Sequence, residues 1–232
     1  MILIDGKKTS LEIQDEIKEE VIYLKSKGKK IPHLAAVLVG SNGASKTYVN
    51  AKVVACKRVG FESTLVRLPD TISEDELLHK IEKLNNNAEI DGFIVQLPLP
   101  DHISEKKVTQ AISAKKDVDG FHPENIGRTA LNLPAFLPAT PFGILQLLER
   151  YNIETSGKHC VVVGRSNIVG APISIMMGRN SYPGNSTVTL THSRTVNLKQ
   201  LTLMADILIV ALGKPEFITA DMVKENAVVI DV

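Results

Sequence analysis

The sequence predicts an α/β fold whose parallel strands are buried on both faces and joined by helices. Short apolar runs alternate along the chain with longer segments that have helical periodicity. Several of these runs are apolar at nearly every position, as expected for strands that helices cover on both sides. Strands and helices that alternate in this way form layered parallel sheets rather than sandwiches.

Each predicted strand is a short apolar segment bounded by polar or turn-forming residues. The predicted strands are residues 34–39, 63–68, 92–97, 159–163, 187–191, 206–212 and 227–232. The predicted helices are residues 9–27, 44–58, 73–87, 104–114, 141–151, 170–180, 197–204 and 219–225. The third helix begins with a capping box between Ser73 and Glu76. Residues 117–141 are rich in Gly, Pro and Asn without a clear period, which predicts a long functional connection.

Length and composition indicate two domains and a small substrate. A chain of 232 residues can form two small domains, and we place their boundary near the end of the irregular connection, giving domains 1–139 and 140–232. The formal net charge of +1 excludes a strong field that would attract nucleic acid or an anionic membrane.

The cysteines and the apolar runs predict the cellular compartment of the protein. Cys56 and Cys160 lie far apart in a predicted helix and a predicted strand, and we interpret them as reduced core residues. We find neither a signal peptide nor a run that approaches about 18 apolar residues. We therefore expect a cytoplasmic protein with no membrane span.

A tyrosine and a lysine lie one turn apart in the helix predicted for residues 44–58. Tyr48 and Lys52 then share one helix face, and Ser45 precedes them on the same segment. Such a pair can hold a flat substrate with one group and move a proton with the other.

The strand predicted for residues 92–97 carries an amide at its carboxyl end. Gln96 lies between Val95 and Leu97, and two prolines follow. Ligands of open α/β sheets bind at the carboxyl ends of strands. A buried amide needs partners, which a substrate or a catalytic lysine would supply. An amide that caps a loop is the alternative interpretation.

Residues 159–170 have the order strand, glycine turn, helix. Gly164, Val169 and Gly170 fall in this turn, where backbone N–H groups and a helix N-terminus can meet a pyrophosphate. The middle glycine of the dinucleotide-binding fingerprint is missing, so a plain tight turn is an equally good interpretation of this segment alone.

Polar and cationic residues follow the glycine and the next strand. Arg165 and Ser166 come directly after Gly164, while Ser193 and Arg194 follow the strand predicted for residues 187–191. An NAD-binding fold usually carries an acidic residue there. These residues favour NADP over NAD, unless the two arginines are ordinary solvated side chains.

Two carboxylates fall in the irregular connection. Asp117 and Asp119 could bind a metal, but no further ligand stands at a suitable spacing, and we predict no metal site. An aspartate that faces a ligand can instead accept paired hydrogen bonds from an amino-pyrimidine edge. We interpret His122, which has no orienting partner nearby in sequence, as structural.

Five of these motifs occur in the order and spacing of one known family. They are Ser45 with Tyr48 and Lys52, residues 95–100, residues 116–120, residues 138–141, and the turn from Gly164 through Gly170 to Pro172. Over essentially its whole length, the chain resembles the bifunctional methylenetetrahydrofolate dehydrogenase/methenyltetrahydrofolate cyclohydrolase family. Five motifs in register are more specific than any one.

The resemblance implies both an architecture and an activity. It implies a three-layer α/β catalytic domain, a Rossmann-like NADP-binding domain, a cleft between them, and a homodimer. It also implies NADP-dependent oxidation of 5,10-methylenetetrahydrofolate to the methenyl form, followed by hydrolysis to 10-formyltetrahydrofolate. The folate is the substrate, and NADP is the cofactor.

The resemblance also assigns roles to individual residues. The family's catalytic lysine, tyrosine, glutamine and pterin-binding aspartate map onto Lys52, Tyr48, Gln96 and Asp119. Tyr48 would stack on the folate, Lys52 would take a proton from the attacking water, and Gln96 would hold the lysine amine. The expected substrate-binding residues are Ser45, Tyr48, Lys52, Val95, Gln96, Leu97, Asp119 and Pro141. The expected cofactor-binding residues are Gly164, Arg165, Ser166, Val169, Gly170, Ser193 and Arg194.

Two departures from the family pattern concern the second domain. A few additional residues occur at positions 181–185, where we expect a longer surface connection. The family also continues beyond the equivalent of Val232 with a Pro-Gly-Gly loop and a helix. We therefore expect that the chain is a truncated or incompletely represented version of a longer one.

Two alternatives remain from the sequence. A short-chain dehydrogenase also uses Ser with Tyr-x-x-x-Lys, but its glycine turn precedes that pair, whereas here Gly164 follows it. A non-catalytic NADP-binding sensor or scaffold would use Lys52, Gln96 and Asp119 only structurally.

Overall fold

The computed structural model describes residues 2–232. From residue 3 onward the chain divides into two compact units, Leu3–Pro123 and Glu124–Val232. The boundary predicted after residue 139 falls inside the second unit, because a helix and a turn at residues 123–133 precede it. How the functional domains divide between residues 123 and 139 stays a prediction.

The first unit is a three-stranded parallel sheet with helices on both faces. The sheet has the strand order β2-β1-β3, and every pair in it is parallel. Its elements are α1 (Gly6–Ser26), β1 (His33–Val39), α2 (Gly43–Val59), β2 (Glu62–Leu68), α3 (Glu74–Asn86), β3 (Gly92–Val95) and α4 (Glu105–Ala111).

The central strand of this unit packs against both helix layers because its side chains alternate between the two faces. Ala35 and Val37 point into a cluster that includes Leu77 of α3. Ala36 and Leu38 point the other way and pack with Val49 of α2. All six of these side chains are buried. The predicted three-layer arrangement is thus confirmed.

The second unit holds a four-stranded parallel sheet of strand order β5-β4-β6-β7. Val161 of β4 and Leu208 of β6 are fully buried in its core. The elements beyond α4 are α5 (Pro123–Ala130), α6 (Ala139–Arg150), β4 (His159–Val163), α7 (Gly170–Gly178), β5 (Thr187–Thr191), α8 (Leu198–Thr202), β6 (Ile207–Val210), a 3₁₀ turn (Ala220–Met222) and β7 (Val228–Asp231).

The amino end of β1 is held by a polar clamp. The backbone N–H of His33 donates to Oδ2 of Asp91 at 2.9 Å, and Nζ of Lys30 donates to Oδ1 at 2.8 Å. Nε2 of His33 also shares a 2.8 Å hydrogen bond with Oγ1 of Thr64 on β2. The lysine hydrogen bond holds the pKa of the Asp91 carboxyl below its ordinary value.

The second unit repeats this clamp at the amino end of its own central strand. The backbone N–H of His159 donates to Asp206, whose other oxygen accepts from Lys224. Nε2 of His159 shares a 2.8 Å hydrogen bond with Oγ1 of Thr189 on β5. Both units therefore anchor the amino end of their own central strand.

Two predicted elements are wrong. The connection predicted to be irregular contains α5, which begins at Pro123, a residue suited to the first helical position because it needs no N–H partner. Residues 219–225 form only the 3₁₀ turn Ala220–Met222 rather than a helix.

Two local predictions, the capping box of α3 and the free cysteines, are confirmed. The side chains of Ser73 and Glu76 form the reciprocal capping box of α3. Cys56 and Cys160 are both free and buried. Across residues 2–232, the helices are all too short or too polar to cross a bilayer.

Candidate functional site

Helix α2 carries the tyrosine and lysine at the carboxyl end of β1. The Asn42 side chain caps this helix by accepting the N–H of Ser45 at 3.1 Å. Ser45 and Val49 are buried, Tyr48 is exposed, and Lys52, one turn after the tyrosine, is partly buried beside them. Tyr48 is 63% exposed, which leaves its ring available to a ligand.

Lys52 pairs with Asp119, a residue far away in sequence. Its Nζ lies 3.6 Å from Oδ1 of Asp119, and 19% of the Asp119 side chain is exposed. Burial raises the pKa of the Asp119 carboxyl, the Lys52 charge opposes that rise, and the nearby Asp117 charge adds to it. The structure thus brings together two of the predicted catalytic residues at the edge of one sheet.

Gln96 lies directly beyond β3 and is half-buried. Its backbone N–H continues the ladder by donating to the Val37 carbonyl at 2.9 Å, and its Nε2 donates to the Leu97 carbonyl at 2.7 Å. Its Oε1 is buried, and within the described chain it has no hydrogen-bond partner. The predicted hydrogen bond to the Lys52 amine is not formed here, but this oxygen is an acceptor of the required kind.

The remaining residues predicted to bind substrate are placed differently. Val95 is buried in β3, and Leu97 packs against the same core cluster. Ser45 is only 2% exposed, so little of its surface can reach a ligand. Pro141 is buried in the first turn of α6, in the second unit.

No metal centre is evident in the described part of the chain. Residues 2–232 contain no group of three His, Cys, Asp or Glu side chains that could hold a metal ion. Instead, Asp117 accepts two backbone N–H groups, from Gly120 and His122.

The glycine turn of the second unit is built by close backbone contacts. Gly164 has φ +112°, and a Cβ on it would lie 2.3 Å from the Ala211 carbonyl oxygen. A Cβ on Gly170 would lie 2.0 Å from the Gly164 carbonyl oxygen. Only glycine fits at either position, and α7 begins at the second one.

Polar groups surround this turn at the carboxyl edge of the sheet. The Ser166 hydroxyl accepts the N–H groups of Val169 at 3.2 Å and Gly170 at 3.4 Å. The side chains of Arg165 and Ser166 are exposed.

The carboxyl end of β5 meets this turn. The N–H of Gly164 donates to the Thr191 carbonyl at 3.0 Å, which brings the end of β5 beside the turn. The following turn is closed by His192, whose Nδ1 accepts the N–H of Arg194 at 3.1 Å. Ser193 and Arg194 are exposed there, so Arg194 lies at the same sheet edge as Arg165.

The segment that follows β6 contains no residue that the sequence predicted for the site. Ala211 and Leu212 contact the glycine turn, and Leu212 and Lys214 help to line a cavity of about 700 Å³ at the carboxyl ends of β6 and β7. The Gly-Lys-Pro run at residues 213–215, shortly after a buried strand, was the available signal, because ligands of open parallel sheets bind at that sheet edge.

Two family models account for most of the chain. Residues 4–119 match the catalytic domain of tetrahydrofolate dehydrogenase/cyclohydrolase, and residues 138–232 match the NAD(P)-binding domain of the same family. The chain belongs to the tetrahydrofolate dehydrogenase/cyclohydrolase family. Membership confirms the resemblance drawn from the five motifs and decides against a short-chain dehydrogenase.

Relatives with known names cover the whole chain. It is 68% identical over 232 residues to the bifunctional protein FolD of Cytophaga hutchinsonii and 63% identical to that of Flavobacterium psychrophilum. The match covers 100% of this chain in both cases, and 80% and 79% of those proteins.

Solved structures of the family have the same fold. The bifunctional FolD dehydrogenase/cyclohydrolase of Campylobacter jejuni matches with a TM-score of 0.95 and 45% identity, covering 100% of this chain and 81% of that one. The FolD of Trypanosoma brucei, solved with NADP and an inhibitor, matches with a TM-score of 0.92 and 30% identity, covering 98% and 77%. The predicted pairing of a catalytic domain with a Rossmann-like NAD(P)-binding domain is therefore confirmed.

Proposed function

We propose that Tyr48, Lys52, Gln96 and Asp119 carry the two reactions of this chain. The chain is an NADP-dependent methylenetetrahydrofolate dehydrogenase and methenyltetrahydrofolate cyclohydrolase, as its family and its FolD relatives indicate. The observation that carries the site assignment is the Lys52–Asp119 pair, 3.6 Å apart, with Tyr48 one helical turn before the lysine.

The second unit has the features that an NADP molecule requires. Gly164 and Gly170 leave the backbone open where a side chain would collide, and α7 begins at the second glycine. The exposed cations Arg165 and Arg194, with the hydroxyls of Ser166 and Ser193, suit a ribose phosphate. We propose that these residues, together with Val169, hold the cofactor, and that NADP⁺ accepts the hydride when it is bound.

The first reaction needs little beyond orientation from the protein. The hydride leaves the methylene carbon of the folate, so the substrate must be held with that carbon exposed to the acceptor. We assign this task to the Tyr48 ring, which can stack on the folate, and to the Asp119 carboxylate, which can accept the pterin N–H groups.

The second reaction requires a base. Water adds to the cationic amidine carbon and loses a proton. The hydroxyl group of this adduct then loses its own proton to become the formyl carbonyl, while the carbon–nitrogen bond to N5 breaks, its electron pair passes to N5, and N5 takes up a proton; the formyl group remains on N10. A pterin that binds Asp119 competes with Lys52 for the same carboxylate. Once displaced, the Lys52 ammonium must first release a proton to solvent; the neutral amine can then take the proton from the attacking water, while the buried Oε1 of Gln96 accepts a hydrogen bond from it.

The test is Lys52→Met, with Lys57→Met as the matched control on the same helix. Lys57 is exposed on α2 and has no role in the proposed site. We expect the Lys52 variant to oxidise methylenetetrahydrofolate and to accumulate the methenyl product, with hydrolysis reduced by at least about 100-fold, the usual contribution of a general base. Methenyl formation and decay are followed by absorbance. Near-normal hydrolysis by the Lys52 variant would refute the assignment.

The same assay addresses the alternative of a sensor or scaffold. A folded protein that binds NADP but forms neither methenyl nor formyl product would support that alternative. The folate is the substrate under the enzyme assignment, and NADP is the cofactor.

We propose further that the protein is a cytoplasmic homodimer without nucleic-acid or membrane partners. Two free, buried cysteines suit a reducing compartment, and a net charge of +1 gives no general attraction to polyanions. Light scattering coupled to size exclusion would measure the mass, and a monomeric mass of 25.3 kDa would contradict the dimer.

A further inference from the structure

One carboxylate beside the site has no assigned role. Asp117 is only 1% exposed, and ionised side chains are rarely buried unless they are fully hydrogen-bonded. It lies two residues before Asp119, the proposed pterin acceptor.

The chain that leads to Asp117 is fixed to the sheet. Residue 117 pairs with Phe93 of β3 in a parallel bridge, and the N–H of Phe93 donates to the Lys116 carbonyl at 2.9 Å. The Lys116 ammonium donates to the carbonyls of Leu84 at 3.1 Å and Asn87 at 2.6 Å. The backbone entering Asp117 is therefore anchored to both β3 and α3.

The Asp117 carboxylate fixes the backbone that follows it, at residues 118–122. Its Oδ1 accepts the N–H of Gly120 at 3.1 Å, and its Oδ2 accepts the N–H of His122 at 2.7 Å. These donors lie immediately beyond Asp119, so the two hydrogen bonds close a turn around it. Gly120 has φ +73°, a conformation that glycine adopts with little strain.

The resulting geometry explains how Asp119 can serve a ligand. The N–H groups of Gly120 and His122 already donate to Asp117, so they do not hydrogen-bond to Asp119. The Asp119 carboxylate is therefore available to Lys52, whose Nζ lies 3.6 Å away. Burial, with a further contribution from the Asp117 charge, also raises the pKa of Asp119.

We propose that Asp117 is a positioning residue for both reactions: its carboxylate holds the turn from residue 117 to 122 so that Asp119 faces Lys52 and the pterin. This inference rests on the proposed role of Asp119. It gives Asp117 no direct contact with the substrate.

The main test is Asp117→Asn, compared with Asp119→Asn and with Asp91→Asn. An asparagine can accept one of the two N–H groups through its oxygen, but its NH₂ group meets the other donor, so the turn cannot close in the same way. We expect the KM for the folate to rise about tenfold, as the loss of one charge-assisted hydrogen bond allows, while the KM for NADP stays within about twofold. Asp91→Asn removes another hydrogen-bonded carboxylate, at the amino end of the sheet and outside the turn from residue 117 to 122, and should change neither KM.

A second variant perturbs the same turn without touching a carboxylate. Gly120→Ala places a side chain at φ +73° and strains the turn directly. We expect it to raise the folate KM while the NADP KM is unchanged. This variant keeps the test decisive if Asp117→Asn does not fold.

The outcomes distinguish the proposed role of Asp119 from the positioning role of Asp117. If Asp119→Asn leaves the folate KM unchanged, the proposed role of Asp119 is wrong. If Asp119→Asn raises it but neither Asp117→Asn nor Gly120→Ala does, the positioning role is wrong. A parallel rise of both KM values in the Asp117 and Gly120 variants would indicate general loss of structure and would also overturn the inference.

Discussion

The close approach of Gly92 to Val118 predicts that a single methyl group will destabilise the protein. Gly92 is the first residue of β3, and a Cβ on it would lie 2.3 Å from Cγ1 of Val118. Val118 immediately precedes Asp119, so this contact joins the central sheet to the segment that carries the proposed pterin acceptor. Gly92→Ala therefore tests whether that segment depends on the packing of β3.

The expected magnitude follows from the size of the overlap. Ordinary van der Waals contact begins at 3.4 Å, so one of the two groups must move by about 1 Å. Valine has a stiff side chain because it branches at Cβ, and it packs here against Ala36, Leu38 and Ile94. We expect Gly92→Ala to lower the free energy of unfolding by about 1–3 kcal/mol, the usual cost of overpacking.

A compensating substitution at Val118 tests whether the collision with its methyl group causes the destabilisation. Val118→Ala removes the colliding methyl group and alone should cost about 1 kcal/mol, since Val118 is only partly buried. In that background Gly92→Ala should cost nothing, or should stabilise by about 0.5 kcal/mol because alanine restricts the unfolded chain. The two substitutions should thus be coupled by about 1–3 kcal/mol.

Urea unfolding followed by far-ultraviolet circular dichroism measures these values, since the chain contains no tryptophan for fluorescence. Gly6→Ala is the matched control, because Gly6 also begins an element but has no atom within 4 Å of an added Cβ. Additive effects of Gly92→Ala and Val118→Ala would refute the reasoning, as would a Gly92 variant as stable as the control.

Two further predictions concern charge. Asp119→Asn should gain stability relative to the wild type as pH rises. The pKa of Asp119 in the folded protein is raised above its ordinary value of 3.8, so folding favours the protonated acid. The wild type loses this contribution to stability as pH rises from the ordinary pKa through the folded one, whereas the asparagine variant has no such contribution to lose. Melting temperatures of both proteins between pH 4 and 8 check this, and a difference that does not change with pH would contradict it. Removing a guanidinium with Arg165→Ala or Arg194→Ala should raise the KM for NADP about tenfold but leave the KM for NAD nearly unchanged, since only NADP carries the ribose phosphate. Equal losses with both cofactors in steady-state assays would contradict a phosphate-binding role.

Most of the architecture was predictable from local pattern. The apolar runs of β1 and β4 are buried because helices cover both faces of each sheet, and that burial is visible in the sequence as uninterrupted apolar residues. Helix α5 was not predictable in the same way. Its segment is short and contains Gly127, while its buried Asn125 and Thr129 carry no apolar signal.

The proposed catalytic pair shows which contacts a local pattern cannot predict. The spacing of Tyr48 and Lys52 on α2 follows from helical geometry alone. Their partner Asp119 is close only because the segment before it pairs with Phe93 of β3. Contacts between residues so distant in sequence depend on the register of the sheet, which no local pattern contains.

By itself the sequence determined the order of the strands along the chain, the two glycines of the turn after β4, and the family to which the motifs belong. These properties depend on side-chain periodicity and backbone freedom, which are local. Only the tertiary structure decided that Lys52 pairs with Asp119, that Asp117 closes the turn around it, and that Gln96 keeps a buried oxygen without a partner in the described chain. The Lys52–Asp119 pair joins two separate elements, and the burial of Asp117 and of the Gln96 oxygen is set only when the helices and strands pack around them.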